Sequence, residues 1–426
     1  MSLACRPPAP LSFAQQQLWL VARLRPGSPA YNMSWAFRLA GDLDLGALES
    51  ALTAIVARHE ALRTTFHEAE GEPVQMVGPP RRVEVTLVDL SAVPEDAREA
   101  ALDAQLTGEA RRPFDLTSDL MLRALVARLG EREHAVLLVL HHIASDGWSM
   151  GVLVRELEAH YAAALTGDIA VLPPLPVQYA DHAAWQRARL TGPRLADEID
   201  YWRERLAGAP PALALPTDRP RPAELGDGGS QCTRLVPSAL VSVVRALARA
   251  ERVTLFAALL AAFQTLLHRY TGETDLVVGT ASACRILRDV EPLIGYFVNT
   301  LPLRMTLDGD PTFRDLLRQA SRVSREALGH QELPFERLVA GIAPERRRDR
   351  SPIVQATLVL HEASFATMVR LPGLLATPLR VRSGTAKFDL SLTALETAGG
   401  LQLTAEYSTD LFEAPTIDRL LGHFTP

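Results

Sequence analysis

The chain has 426 residues, 47% of them hydrophobic and 22% charged, a balance that can bury a full core and excludes disordered and collagen-like chains. Its formal charge is 44 − 50 = −6, and the one basic run is Arg346-Arg347-Arg348 with Arg350, so no nucleic-acid partner is expected. Cys5, Cys232 and Cys284 are far apart and odd in number, which suggests neither a disulfide framework nor a metal site.

Residues 14–23 are predicted to form a helix, with Leu18, Trp19 and Leu20 near one apolar face and Ser12 as the N-cap. A strand at 35–39 precedes an amphipathic helix at 45–58, where Leu45, Leu48, Leu52 and Val56 recur at helical spacing. Short strands are predicted at 64–66, 74–77 and 83–88, then a polar helix at 95–111. Two strong strands follow at 120–127 and 135–142, and a long helix at 150–165. A proline-containing connection at 171–177 leads to helices at 179–190 and 196–206.

The stretch 210–229, rich in proline and glycine, reads as the best linker in the chain. Beyond it come a strand at 232–236, helices at 238–251 and 255–270, a strand at 275–279 and a helix at 312–328. Strands at 353–360, 386–395 and 401–407 and a helix at 416–423 complete the pattern. Strands and helices alternate in both halves, so two α/β lobes are expected: 1–175, then connecting helices and linker at 176–229, then 230–426. No apolar run approaches the roughly 20 residues of a membrane span. Residues 1–10 lack a basic segment followed by an apolar stretch, so no signal peptide is expected and the protein is placed in the cytoplasm, without a membrane partner.

The most informative stretch is Val136-Leu137-Leu138-Val139-Leu140-His141-His142-Ile143-Ala144-Ser145-Asp146-Gly147-Trp148-Ser149. An apolar strand ends in two histidines, passes an Asp-Gly turn and enters a helix. Alternation along a strand points His141 and His142 to opposite faces, which argues against both holding one metal. One imidazole can pack inward while the other faces a cleft. Gly147 permits close backbone approach, and its N–H is a candidate donor to a developing oxyanion. Asp146 either orients the turn or supports a protonated imidazole through an arginine.

The Gly-x-Ser-x-Gly spacing of a nucleophile elbow is not expected in this chain, and neither a phosphate-cradling glycine loop nor His-Glu-x-x-His occurs. A histidine at a cleft without metal or nucleophile suggests direct transfer between two bound substrates, with the imidazole taking a proton from an attacking amine or hydroxyl.

From Leu11 to about Phe424 the chain resembles the condensation domains of non-ribosomal peptide synthetases, relatives of chloramphenicol acetyltransferase, through seven stretches in that family's order. They begin with Ser12 to Trp19 followed by Tyr31-Asn32, then Arg58 to Phe66, then the His141-His142-x-x-x-Asp146-Gly147 stretch. Tyr179 to Trp185, Ile294 to Arg304 and His330 to Glu336 follow, and a degenerate seventh near Arg346 to Gln355 keeps Ser351-Pro352. Gln17 stands where the family usually has arginine, Arg347 where it has aspartate, and Ile286 where it has a polar residue.

The resemblance implies two chloramphenicol acetyltransferase-like α/β lobes, each an α+β sandwich, in a V-shaped pseudo-dimer with a channel between them. It implies amide formation between donor and acceptor thioesters carried by phosphopantetheine arms of peptidyl carrier proteins. A neighbouring adenylation domain is a further partner if the chain is part of a larger synthetase. No permanently bound cofactor and no metal are expected, and a monomer is. His142 resembles the catalytic residue, with Gly147 beside it. His141 and Asp146 are expected to be structural, with Arg285 the first choice as partner of Asp146 and Arg63 the other. Trp148, Ser149 and Asn299 are expected to line the substrate channel. The paired histidines argue against cyclization domains, and the retained second one against oxygenase-recruiting relatives. An ester-forming or soluble-acceptor acyltransferase, a non-catalytic carrier-binding platform and an epimerase are the rival readings.

Overall fold

The computed structural model describes residues 6–342, 347–361 and 369–425, so Cys5 and Arg346 lie outside the described residues. The chain divides into two compact units, neither contiguous in sequence. The first comprises Met1–Arg189, Arg285–Val298 and Ser364–Ser383; the second comprises Leu190–Cys284, Asn299–Ala363 and Gly384–Pro426. The expected divisions at 175 and 229 were contiguous, whereas two later segments return to the first unit. The reason is burial and pairing. Val290, Leu293, Ile294 and Phe297 are buried in the first unit's core, and Leu375–Leu379 pairs antiparallel with Asn32–Ala40.

The main sheet of the first unit has five strands in the order Leu375–Leu379, Asn32–Ala40, Glu133–His141, Leu122–Arg128, Val85–Asp89. Helices Leu45–Arg58 and Gly147–Thr166 pack on one face, through Leu48, Leu52, Leu153 and Leu157 against Leu122, Val136, Leu138 and Leu140. Helix Glu95–Arg111 covers the other, with Leu102 and Leu106 against Leu125, Leu137 and Val139. Strand Glu133–His141 is thus buried on both faces from His134 onward, which explains its unbroken apolar run. A second, three-stranded sheet joins Ala9–Pro10, Glu72–Val77 and Thr64–Ala69.

The second unit holds one six-stranded mixed sheet, ordered Asn299–Thr306, Asp275–Ser282, Ala356–His361, Leu390–Thr397, Gly400–Ser408, Gly229–Pro237. Strands Leu390–Thr397 and Gly400–Ser408 alternate buried and half-buried residues, so one face is dry. That face packs under helices Leu255–Thr271, Phe313–Gly329 and Ala414–Phe424, through Phe263, Leu267, Leu317 and Ile417.

Candidate active site

Strand Glu133–His141 delivers the two histidines, and it ends one residue earlier than expected. His142 opens a single 3-10 turn, His142–Ala144, so the two side chains are separated by a change of backbone rather than by strand alternation. His141 is 6% exposed, its ring edge-on to Phe114 at 5.6 Å, and its Nδ1 accepts the Ile143 N–H at 3.1 Å. His142 is half-buried, and its Nδ1 lies 2.8 Å from the Ser145 carbonyl. A carbonyl only accepts, so Nδ1 of His142 carries a proton, and in the neutral ring Nε2 carries the lone pair. The adjacent imidazoles are therefore held in opposite tautomers. The His142 ring meets Tyr296 edge-on, with centroids 4.8 Å apart.

The long helix starts at Gly147, three residues before the expected start, because Asp146 is its N-cap and not merely a turn residue. Asp146 Oδ1 accepts the Ser149 N–H at 2.8 Å and the Ser149 hydroxyl at 2.7 Å, and Oδ2 accepts the Phe297 N–H at 3.0 Å. Arg285 donates to the same Oδ1 at 3.1 Å and to the Ser149 hydroxyl oxygen at 3.0 Å. The Asp146 and Arg285 side chains are 1% and 2% exposed. Burial pushes the guanidinium below its ordinary range, and Asp146 acts in the opposite direction. Arg285 also donates to the carbonyls of Val290 at 2.5 Å and Leu293 at 2.9 Å, and it lies 4.1 Å over the Phe297 ring. One buried charge pair thus ties the turn after His142 to the segment Arg285–Val298.

Three separate stretches of the first unit grip that segment. The Ile294 N–H donates to His59 Nδ1 at 3.2 Å, and the other ring nitrogen of His59 meets Glu156 at 2.9 Å. Burial raises the Glu156 carboxyl, but hydrogen bonds from His59 and Arg58 win and hold it below its usual range. The Gly295 N–H donates to the Ser149 hydroxyl at 3.1 Å. Tyr179 donates to the Tyr296 carbonyl at 2.5 Å, and its hydroxyl is 2.9 Å from that of Ser12. A Cβ on Gly295 would stand 2.2 Å from a Tyr179 ring atom and 2.8 Å from Phe297. Gly295→Ala is therefore expected to destabilise the protein by about 1–3 kcal/mol through overpacking, read as a lower Tm in a thermal melt.

Several expected site residues sit elsewhere or do other work. Arg63 is not the partner of Asp146: it donates to the carbonyls of Gly78 and Ala57, bracing the turn Glu60–Arg63. Ser149 was expected in a channel but is fully buried. The expectation that Gly-x-Ser-x-Gly is absent is corrected: the run Gly147-Trp148-Ser149-Met150-Gly151 has that spacing. Its serine, locked to Asp146 inside a helix, is not presented as a nucleophile. Asn299 was also expected in a channel. Instead its amide donates to the carbonyls of Gln331 and Leu333 at 2.9 and 2.7 Å and accepts the Phe335 N–H at 2.9 Å, spending both donor hydrogens within the second unit. Trp148 is half-buried and donates to the Glu291 carbonyl at 2.9 Å, whereas Gly147 is exposed. Glu156 and Tyr179 were not assigned to the site from sequence. Tyr179 lay within a recognised stretch, but nothing in the sequence distinguished Glu156.

Asp146 pairs with Arg285, the first-choice partner that the resemblance implied, and the family model for the condensation domain matches residues 7–426. The chain belongs to the condensation-domain family. It is 42% identical over 417 residues to the phosphinothricin tripeptide synthetase PhsC of Streptomyces viridochromogenes, covering 97% of this chain and 38% of that one. It is also 42% identical over 416 residues to the chondramide synthase of Chondromyces crocatus, covering 97% of this chain and 10% of that one. The condensation domain thus spans well under half the length of these curated relatives. Among solved structures it is similar to the X-domain from teicoplanin biosynthesis, at 31% identity and a TM-score of 0.88, covering 98% and 94% of the two chains. A chain solved in the complex of the X-domain and OxyB is similar as well, at 32% identity and a TM-score of 0.87, with 98% and 92% covered.

One further group bears on the acid stability of this condensation domain. His182 is 9% exposed, packs against Phe297 and Trp185, and its Nδ1 has no hydrogen-bond partner among the described residues. Burial, with a smaller push from Arg285, lowers its pKa to about 4. The unfolded chain therefore binds a proton that the folded chain refuses, and stability contributed by neutral His182 is lost as pH falls from about 6.5 toward 4. His182→Leu is expected to move the acid-unfolding midpoint to lower pH, measured by circular dichroism across a pH series.

Proposed function

We propose that this condensation domain catalyses amide-bond formation between two thioesters, each carried on the phosphopantetheine arm of a carrier protein. The observation that carries the reading is the tautomer of His142: its Nδ1 proton is committed to the Ser145 carbonyl, which makes Nε2 the basic nitrogen. In the proposed step the acceptor amine attacks the donor thioester carbonyl while Nε2 of His142 takes a proton from that nitrogen. A C–N bond forms, the C–S bond breaks, and the departing thiolate takes the proton that Nε2 of His142 accepted, which returns the imidazole to its basic form. The N–H of Gly147, an exposed residue and the first of its helix, is the proposed donor to the carbonyl oxygen as charge develops there. Trp148, fixed by its indole N–H, is proposed to shape the substrate path beside Gly147.

The test is single-turnover transfer between a donor-loaded and an acceptor-loaded carrier, followed by intact-protein mass spectrometry. The acceptor carrier is expected to gain the donor acyl mass. Amine and hydroxyl acceptors compared in the same assay separate amide from ester formation. The similarity to an X-domain solved with OxyB supports a second reading, a platform that binds partners without transferring acyl groups. Retention of both histidines favours the catalytic reading, and absence of transfer from any loaded pair would favour the platform.

A further inference from the structure

The hydrogen bond from Nδ1 of His142 to the Ser145 carbonyl, 2.8 Å long, fixes one atom of the imidazole. A ring held at one atom can still tilt about that bond, whereas a reacting group must be held to about half an ångström. A second constraint comes from Tyr296. Its ring centroid lies 4.8 Å from that of His142, with the two planes at 64°, the edge-to-face packing that aromatic rings favour.

The backbone shows why the Tyr296 ring can act as a fixed stop. The peptide joining Tyr296 to Phe297 is pinned at both polar ends. Its carbonyl accepts the Tyr179 hydroxyl at 2.5 Å, and its N–H donates to Asp146 Oδ2 at 3.0 Å. The preceding residue is held too: the Gly295 N–H donates to the Ser149 hydroxyl at 3.1 Å, and Gly295 has no room for a side chain beside the Tyr179 ring. Phe297 is buried, edge-on to Tyr179 at 4.9 Å. Tyr296, between two buried neighbours, is half-buried and lies on the His142 side. The Asp146 carboxylate that holds its peptide also caps the helix that follows the His142 turn, so both rings are referred to one frame.

We propose that Tyr296 is a positioning residue for His142: its ring, delivered by a peptide that Tyr179 and Asp146 pin at both ends, holds the imidazole on the Ser145 carbonyl and so keeps Nε2 aimed at the reacting amine. Tyr296 acts through His142 and carries no proton in the step. The kinetic consequence rests on the catalytic reading of His142 above, whereas the hold on the ring belongs to the resting protein and can be tested without any carrier.

Tyr296→Ala and Tyr296→Phe are compared with wild type in two measurements. Two-bond ¹H–¹⁵N spectra of protein labelled with ¹⁵N-histidine report the tautomer of each ring, and the His142 signals are those missing from His142→Ala. Wild type and Tyr296→Phe are expected to show a neutral His142 ring protonated at Nδ1, and Tyr296→Ala a ring averaged between tautomers. In transfer between loaded carriers, kcat is expected to fall about 10–10²-fold in Tyr296→Ala with KM nearly unchanged, and Tyr296→Phe to recover most of that loss. A merely structural ring would lower Tm in Tyr296→Ala and leave the tautomer and the rate per folded molecule as in wild type, which overturns the proposal. A Phe variant as disordered and as slow as Ala also overturns it, since the ring alone would not suffice. An averaged ring that still transfers at the wild-type kcat upholds the positioning and removes His142 from the chemistry. If the wild-type chain transfers nothing from any loaded carrier, the catalytic reading falls, and the hold on the ring stands or falls on the spectra.

Discussion

His142→Ala is expected to lower single-turnover transfer by about 10²–10⁴-fold while the fold persists, which is the usual range for losing a positioned acid–base group. The side chain is half-buried, and its hydrogen bond closes a short turn onto the Ser145 carbonyl. Losing that bond costs stability by about 1 kcal/mol, too little to unfold a chain with two full cores. The turn is also held by backbone, since the His142 N–H donates to the Tyr31 carbonyl at 2.8 Å. Far-UV circular dichroism and Tm should therefore change little, while the mass shift on the acceptor carrier disappears. A folded variant that transfers at the wild-type rate would remove His142 from the chemistry. Residual slow transfer is consistent with the proposal, because holding two thioesters in line supplies rate without any base.

What was legible in the sequence follows from how locally each feature is determined. Strand Glu133–His141 announces itself because it is buried on both faces and needs apolar residues throughout. The paired histidines and Asp146 follow it directly, so the heart of the site could be read from one stretch. The helix start could not, because Asp146-Gly147 carries the chemistry of a turn as well as that of an N-cap. Two strands were missed for a common reason. Asn299–Thr306 contains Pro302, Leu375–Leu379 contains Pro378, and both lie at sheet edges, where a residue without an N–H is tolerated. The second of these strands also carries the chain back into the first unit, which no linear boundary could anticipate.

The partners of the site divide in the same way. Arg285 could be offered from sequence because it lies in a motif-like context, yet choosing it over Arg63 needed the coordinates. Both are arginines with buried surroundings, and only Arg285 reaches Asp146. Glu156 sits among ordinary helix residues, and its role exists only because the helix Gly147–Thr166 lies against His59.

Asp146→Ala is expected to be the most destabilising single change at the site. The substitution removes an N-cap, worth about 1 kcal/mol, and takes away the carboxylate that accepts the Phe297 N–H. It also strands the Arg285 guanidinium, 2% exposed, with its carboxylate gone. Breaking a buried pair by deleting one partner costs about 3–5 kcal/mol, a large share of the roughly 5–15 kcal/mol that holds a typical domain folded. The expected outcome is poor solubility or a Tm lowered by several degrees, with transfer lost in proportion to the unfolded fraction. Asp146→Asn separates the two contributions, because an amide oxygen can still cap the helix but cannot neutralise Arg285. If Asn restores most of the Tm, capping dominates; if it behaves like Ala, the charge pair does. An Asp146→Ala protein with wild-type Tm and wild-type transfer would show that the Arg285–Val298 segment is held by His59, Tyr179 and Phe297 packing without the ion pair.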